Sequence, residues 1–538
     1  MCYVKVIDYR ILLLVFVFSA AGSSLAAETN GTVAAAREID PAKLEFKLLA
    51  TRRFMLDNEV MLSEFVPGAS ARPSLQNPLM PYCSNPRPKL SYGKGAVTFS
   101  APADVASEGV LFVGAFHPGV HFSADVQSLS EGGSALLCIA PYDGSFRTRV
   151  RAEPGKPVEF EQTWEGKKLA AKLDRPQVVP PPPFRLSAIV AGPTILIAVR
   201  KDNDVRYLGS VSLVEDPEID IRRRDFAGKL KCAAGAWLPP GGKASLSRAA
   251  VTLTAGVGQA DFRIVTDGPS CRPYLENGRI FCTFSARAGL KYTKSVASFN
   301  PSVFDFRMEG ILLTSYGDDD PLLRNDGVGH VFRDKDGTWK ATAVGWSTTT
   351  HDLTTRRGSG LVACETRENP LHGIHVLRAK PLVVGSGIKS EDAYVTFDAA
   401  TNKWRLATSS FGKGLRARLW ESDNWDGPYA QIAGPVEFDS TGCEIMDFGG
   451  RKYVMTANVD RKRPIYEYPS LKYVGELKLD FDPYNKECSN GRIFMAFAEL
   501  PEGFPYRYIL LTMDRQNFPG MPSPNWTYGA MYLYGANP

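Results

Sequence analysis

Three acidic residues stand where short apolar strands begin in separate repeats of the second half of the chain: Asp267 in TDGPSCRPYLENG, Asp392 in KSEDAYVTFD and Glu444 in STGCEIMDFGG. A further repeat offers Asp326 and His330 in NDGVGHVFRDKDG, and Glu391 directly precedes Asp392. Carboxyls brought together from separate repeats repel one another. Burial among like charges raises a carboxyl pKa, and a raised pKa is what a general acid needs near neutral pH. Cleaving an acetal takes such a pair: one carboxyl protonates the leaving oxygen while another activates water or attacks the sugar. Arg272, close behind Asp267, could bind a carboxylate or sulfate on an acidic sugar, or pair with the acids themselves. Trp346, Trp420, Trp425 and Trp526 offer faces on which sugar rings stack, with Trp346 at a strand end and Trp425 on a turn as the two expected to be exposed. Each residue also has a plain structural reading. Asp267, before Gly268-Pro269, could simply bond its own turn; His330 reads as a structural or sugar-contacting histidine, and the tryptophans as packing aromatics.

What must position these groups is a repeat. A strand–turn–strand unit opens at Arg272, Gly329, Asp392, Cys443 and Arg492. Four of its turns carry Asn-Gly, Asp-Gly, Asn-Lys or Gly-Gly, which suit tight hairpins. Units spaced by about 50–60 residues read as the blades of a five-bladed β-propeller over residues 256–538, whose first strands line a central channel. Upstream, residues 90–255 alternate apolar and polar in short runs, among them Ala96–Ser100, Val120–Leu129, Ser134–Ala140 and Phe146–Ala152. The stretch FRLSAIVAGPTILIAVRKDNDVRYLGSVSL reads as the closing strands of a concanavalin-like jelly-roll sandwich. The predicted fold is all-β, a jelly-roll sandwich followed by the propeller.

Residues 1–27 read as a signal peptide: Lys5 and Arg10 form a positive segment before the apolar run Ile11 to Ala21, and Ser24-Leu25-Ala26 supplies small residues for cleavage. The run is shorter than the about 20 residues needed to cross a bilayer, so no transmembrane segment is expected, and the mature protein is expected to be secreted or periplasmic. Residues 28–89 are expected to be a linker or extension, with Ala34 to Arg53 as its helix-capable part. A net charge of +5 on 538 residues is too weak and dispersed for nucleic acid. The run Arg222-Arg223-Arg224 and the run Asp318-Asp319-Asp320 both read as solvated loops. No metal or cofactor motif is present: HExxH, P-loop and Rossmann fingerprints are missing, and Gly358-Ser359-Gly360 lacks the spacing of a nucleophile elbow. The eight cysteines after Cys2 contain no CxxC pair; Cys271 and Cys282 flank a candidate hairpin and could pair or remain as buried thiols.

The repeats YLENGRIFCTFSAR and GRKYVMTA, together with LWESDNWDGPY at 419–429, resemble the five-bladed propeller glycosidases, the group that includes glycoside hydrolase families 43, 62, 32 and 117. The resemblance covers about half of the chain. It implies an aspartate of the first blade as base or nucleophile, a second aspartate that tunes pKa and orients substrate, and a later glutamate as general acid. Carried over, these fall on Asp267, Asp392 and Glu444, with a poly- or oligosaccharide as substrate. The chain departs from the pattern where Gly268 separates Asp267 from proline and where Ile445 follows Glu444, so Asp261 and Asp305 stand as fallbacks for the first aspartate. A carbohydrate-binding protein without activity is the alternative, but it would need aromatics and amides rather than three carboxyls. A polysaccharide lyase would lean on His330 and Arg272.

Overall fold

The computed structural model describes residues 39–52, 83–93, 95–202, 204–213, 219–268, 271–289, 291–318, 320–327, 329–345, 360–385, 388–483, 492–521 and 529–538. The expected signal peptide lies outside them. Between Lys89 and Leu253, two antiparallel sheets of seven and six strands face each other. Alternate residues point between them, so that Phe99, Leu111, Phe122, Leu137, Phe146, Leu186 and Ile197 share one buried core. The strands Ala96–Ser100, Val120–Leu129, Ser134–Ala140, Phe146–Ala152, Phe184–Ala191 and Thr194–Lys201 form where alternation placed them. The strand Lys231–Leu238 (KCAAGAWL) had no alternation to announce it. It lies between Ser107–Ala115 and Ser134–Ala140, so close that a Cβ on Gly235 would come within 2.0 Å of the Gly109 carbonyl oxygen. Small residues are there to admit backbone, and they leave no apolar period.

The remaining described residues make five successive, mainly antiparallel sheets in a propeller-like arrangement. The first is built from Gly258–Ile264, Arg279–Ala288, Lys291–Phe299 and Arg307–Ser315, and the second from Val331–Arg333, Trp339–Val344, Leu361–Thr366 and Gly373–Pro381. Their last strands pair in parallel, joining the two sheets at the outer edge. The third runs from Ser390–Asp398 to Ala430–Ala433, and the fourth from Thr441–Phe448 to Tyr473–Glu476. The fifth contains Met495–Glu499, Tyr508–Met513 and Met531–Ala536. Ser390–Asp398 touches the second and fourth sheets, Thr441–Phe448 touches Met495–Glu499, and Met495–Glu499 touches Gly258–Ile264, which brings the last sheet back to the first.

Glu45–Arg52, from the segment expected to be helical, joins the fifth sheet beside Met531–Ala536, with the short strand Lys478–Leu479 beyond it at the edge. Propensity allowed a helix, but the open edge of Met531–Ala536 captures the segment as strand, a tertiary override of local preference. Phe46 is fully buried against Phe497, with ring centroids 6.0 Å apart, and the Leu48 N–H donates to Asp480. Phe46→Ala is expected to cost about 3–5 kcal/mol in urea unfolding, the range for emptying a buried phenylalanine site; a cost below about 1 kcal/mol would mean that this strand is dispensable.

Of the two runs expected to be solvated loops, Arg224 and Asp318 are exposed, but Arg222 and Asp320 are buried where the first run meets residues 321–323. Arg222 is buried and paired with buried Asp220 at 2.7 Å, while Asp320 is held by Arg324 at 2.9 Å. Arg224 donates its N–H to the Pro321 carbonyl, Leu323 donates to the Arg222 carbonyl, and Arg223 bridges to Leu322. The junction between sandwich and first sheets is thus a zipped contact, with each buried charge matched inside its own loop. Cys271 and Cys282 do not pair: all seven described cysteines after Cys2 are free thiols. Among the described residues no helix is long and apolar enough to cross a membrane.

Candidate functional site

The first strands of three sheets break register at the same point. Ala260 pairs with Ser285 and Arg263 with Thr283; Glu391 with Ser409 and Tyr394 with Ala407; Thr441 with Ala457 and Glu444 with Met455. Each strand therefore carries one extra residue, a bulge, and the residue after the first pair turns into left-handed backbone: Asp261 at φ 56°, Asp392 at 59° and Gly442 at 66°. Aspartate tolerates that conformation better than most residues with a side chain. The second sheet repeats the spacing, because the Gly327 N–H reaches Val344 while the Thr342 N–H reaches His330. Gly329 sits in this bulge because any Cβ there would overlap the Thr342 carbonyl. The bulges sort the strands into two tiers.

The deeper tier holds Arg263, His330, Tyr394 and Glu444, none more than 2% exposed. Arg263 donates to Glu444 at 3.1 Å and to the carbonyls of Gly442 and Asp392, both at 3.3 Å. The other Glu444 oxygen accepts the Phe497 N–H at 2.9 Å. His330 stacks on Tyr394 at 4.0 Å and meets the Thr266 hydroxyl at 2.9 Å. Burial lifts the Glu444 carboxyl to about 7 against the pull of Arg263. Burial holds His330 well below the usual histidine range, with Arg263 and Lys294 adding to it. Both Glu444 oxygens are thus engaged, and its side chain is only 1% exposed.

The outer tier gathers Asp261, Asp326, Glu391 and Asp392. Asp392 is buried, and one of its oxygens accepts the Gly442 N–H at 2.9 Å and the Thr441 hydroxyl at 3.0 Å, so it braces the neighbouring bulge. Asp261 accepts from Arg287 at 2.6 Å, and that guanidinium lies 4.7 Å from the Tyr292 ring centroid. Asp326 accepts from the hydroxyls of Thr314 and Tyr316. Glu391 is half-buried. Burial pushes its carboxyl up to about 8, with Asp392 and then Asp261 adding to the rise and Arg492 and Arg515 opposing it. Asp392 is also held up, by burial first. Tyr292 is pushed up by burial, and Asp261, Asp326 and Glu391 all act on it in the same direction. Acids from three sheets therefore share one electrostatic neighbourhood, with a protonated carboxyl at neutral pH among them.

The remaining sequence candidates lie elsewhere. Asp267 is exposed and pairs in register with Arg333, at the far end of the second sheet's first strand from Gly327 and His330. Arg272 is exposed in the same loop, its carbonyl accepting the Asp267 N–H at 3.0 Å. Asp267 therefore stands at the other end of the strand run from the bulge, which Asp261 occupies in the first sheet. His330 is a packed interior group rather than a sugar contact. Trp425 is only 8% exposed, wedged among Phe332, Lys340 and Glu365, and Trp420 is buried with its Nε1 on Thr408. Both are sheet-packing residues. Trp346 and Trp526 lie outside the described residues. Sequence reasoning missed Arg263, Arg287, Tyr292, Arg492 and Arg515. Arg263 has a signal in its parity with the bulge, which becomes readable once ADFRI, EDAYV and TGCEI are laid over one another, and Arg492 opens a repeat unit; Arg287, Tyr292 and Arg515 lie outside those segments and carry none.

No family pattern and no curated protein matches the chain. Among solved structures, the GH43_1 enzyme from Xanthomonas citri complexed with xylose is similar at 11% identity and a TM-score of 0.36, over 53% of this chain and 88% of that one. The catalytic domain of the Coprinopsis cinerea GH62 alpha-L-arabinofuranosidase gives 10% and 0.35, over 52% and 91%. A family 117 glycoside hydrolase from Zobellia galactanivorans gives 11% and 0.34, over 53% and 86%.

Proposed function

We propose that the protein is an exported glycoside hydrolase that cleaves a poly- or oligosaccharide on a five-bladed propeller, residues 256–538 closed by Glu45–Arg52, beside a jelly-roll sandwich spanning residues 90–255. The observation that carries this reading is the outer tier: Asp261 from the first sheet and the Glu391–Asp392 pair from the third act on one another electrostatically, and Glu391 keeps its proton to about pH 8. Glu391 is the general acid that protonates the leaving oxygen. Asp261 is the base or nucleophile, oriented by Arg287. Asp392 holds the bulge of the next blade and, after burial, adds to what keeps Glu391 protonated. Glu444, assigned the acid's role by resemblance, is a structural partner of Arg263 in this reading. Release of reducing ends from a polysaccharide should hold up to about pH 8 and fall above it as Glu391 loses its proton. Activity that rises through pH 8 to 9 would remove Glu391 as the acid.

A second reading, sugar binding without turnover, is favoured by one feature. Gly442 occupies in the fourth sheet the bulge position where the first and third carry aspartates. Binding of an oligosaccharide with no product at any pH would select that reading.

A further inference from the structure

The parallel ladder that joins the first two sheets has a histidine at its head. The ladder pairs Gly310 to Ser315 with Gly373 to Arg378. It begins so tightly that a Cβ on Gly310 would come within 2.6 Å of the Gly373 carbonyl oxygen. Glu309 and His372 stand directly before it on the two sides. A third group comes from a hairpin of the first sheet. Asn277 and Gly278 turn through left-handed backbone, at φ 52° and 71°, as a tight two-residue turn requires, and Glu276 pairs with Arg279 across it. The His372 ring lies between the two acids. Its Nε2 is 2.9 Å from Glu276 and its Nδ1 is 3.3 Å from Glu309, with the Phe281 ring edge-on at 5.4 Å. The other Glu309 oxygen accepts the Ser298 hydroxyl at 2.5 Å, and the other Glu276 oxygen accepts the Tyr274 hydroxyl at 3.2 Å, which turns both carboxylates toward the ring.

An ionised carboxylate only accepts hydrogen bonds, and a neutral imidazole has a single N–H to give. Two carboxylates on two ring nitrogens therefore call for the imidazolium. The hydrogen bond to Glu309 raises the His372 pKa above its ordinary 6.5 against burial, and Glu276 adds to the rise. Arg279, the cation that acts on Glu309, is bound to Asp305 at 2.7 Å, as is Arg307 at 3.2 Å. On the side of His372 itself, His375 donates through Nε2 to the His372 carbonyl at 2.9 Å and stands 4.0 Å from Glu368. The His372 side chain is 38% exposed, so its proton can come and go without unfolding. We propose that His372 is a pH-sensitive clasp: as an imidazolium it fastens the second sheet to the first through Glu276 and Glu309, and on losing its proton it releases one of the two acids and loosens the head of the ladder. The stability it adds is complete below the ordinary histidine value and is lost as pH rises through the raised one. The clasp sits at the outer edge of the two sheets and does not depend on the hydrolase reading.

The test uses the full mature chain as wild type, His372→Gln, Glu309→Gln and Glu276→Gln. The sequence has six histidines, so the ring signals in proton NMR are few, and the one lost in His372→Gln reports this residue. Its titration midpoint is expected above 6.5 in wild type and lower in each of the two glutamate variants. Hydrogen exchange of the ladder amides, corrected for the intrinsic rate, should be several-fold faster at about pH 9 than at about pH 5.5 in wild type, and equally fast at both in His372→Gln. In thermal melts His372→Gln should fall below wild type at about pH 5.5 and converge on it by about pH 9. Glu391 titrates in both proteins and cancels in that difference. A wild-type midpoint at or below 6.5, or ladder exchange that ignores pH, overturns the proposal. So does a raised midpoint that neither glutamate variant lowers, because the proton would then be held by other groups.

Discussion

Glu391→Gln is expected to lower kcat/KM on a cleaved polysaccharide about 10³-fold, within the range for losing a general acid or base, while KM changes little because the amide keeps the shape of the group. The same substitution should change the dependence of stability on pH. The folded carboxyl titrates near 8, above its ordinary 4.5. Stability contributed by the proton it holds is complete below the ordinary value and is lost as pH rises through the folded one. The variant carries no such loss. In thermal melts it should match wild type near pH 4.5 and exceed it by several degrees at pH 8–9, where wild type must bury a charge beside Asp392 and Asp261. A variant that melts below wild type at pH 9 would contradict this picture of Glu391.

The second large effect concerns the deeper tier. Arg263→Met leaves Glu444 buried with no cation beside it, and breaking one side of a buried pair costs about 3–5 kcal/mol. Arg263→Met/Glu444→Gln removes the orphaned charge and should recover more than half of that loss in urea unfolding. The double variant should also retain turnover, because neither side chain reaches substrate. A double variant as unstable as the single one would show that the pair is not the relevant interaction. A stable Glu444→Gln variant without activity would return Glu444 to the chemistry.

Much of the architecture could be read from the sequence because alternation and turn residues are local signals. Sheets two to five begin where their repeats predicted, and the principal strands of the sandwich fall almost residue for residue on the alternating runs. The exceptions are physical. Lys231–Leu238 is built of small residues that admit neighbouring backbone, and Glu45–Arg52 became a strand through an edge formed by the far end of the chain. The placement of the candidate residues was half legible. The search for acids at the starts of first strands led to Asp392 and Glu391, which stand at the bulge of the third sheet. The first repeat was displaced by the length of one strand. Laying the bulges over one another puts Asp267 seven positions after Ala260, where Asp398 follows Glu391 and Asp334 follows Gly327. Asp267 is thus the residue at the far end of a first strand, and Asp261 is its counterpart at the near end. The burial of Glu444 could not be read for a related reason: two residues along a bulged strand separate the outer tier from the deeper one, and no periodicity reveals a bulge.

The most direct measurement is reducing-end release from a panel of neutral and anionic polysaccharides at pH 6–7 by wild type, Glu391→Gln and Arg263→Met/Glu444→Gln, each checked for folding. Cleavage of at least one polysaccharide by wild type and the double variant, with none by Glu391→Gln, is the predicted result. Undiminished cleavage by Glu391→Gln, or no cleavage by any of the three, would contradict the account.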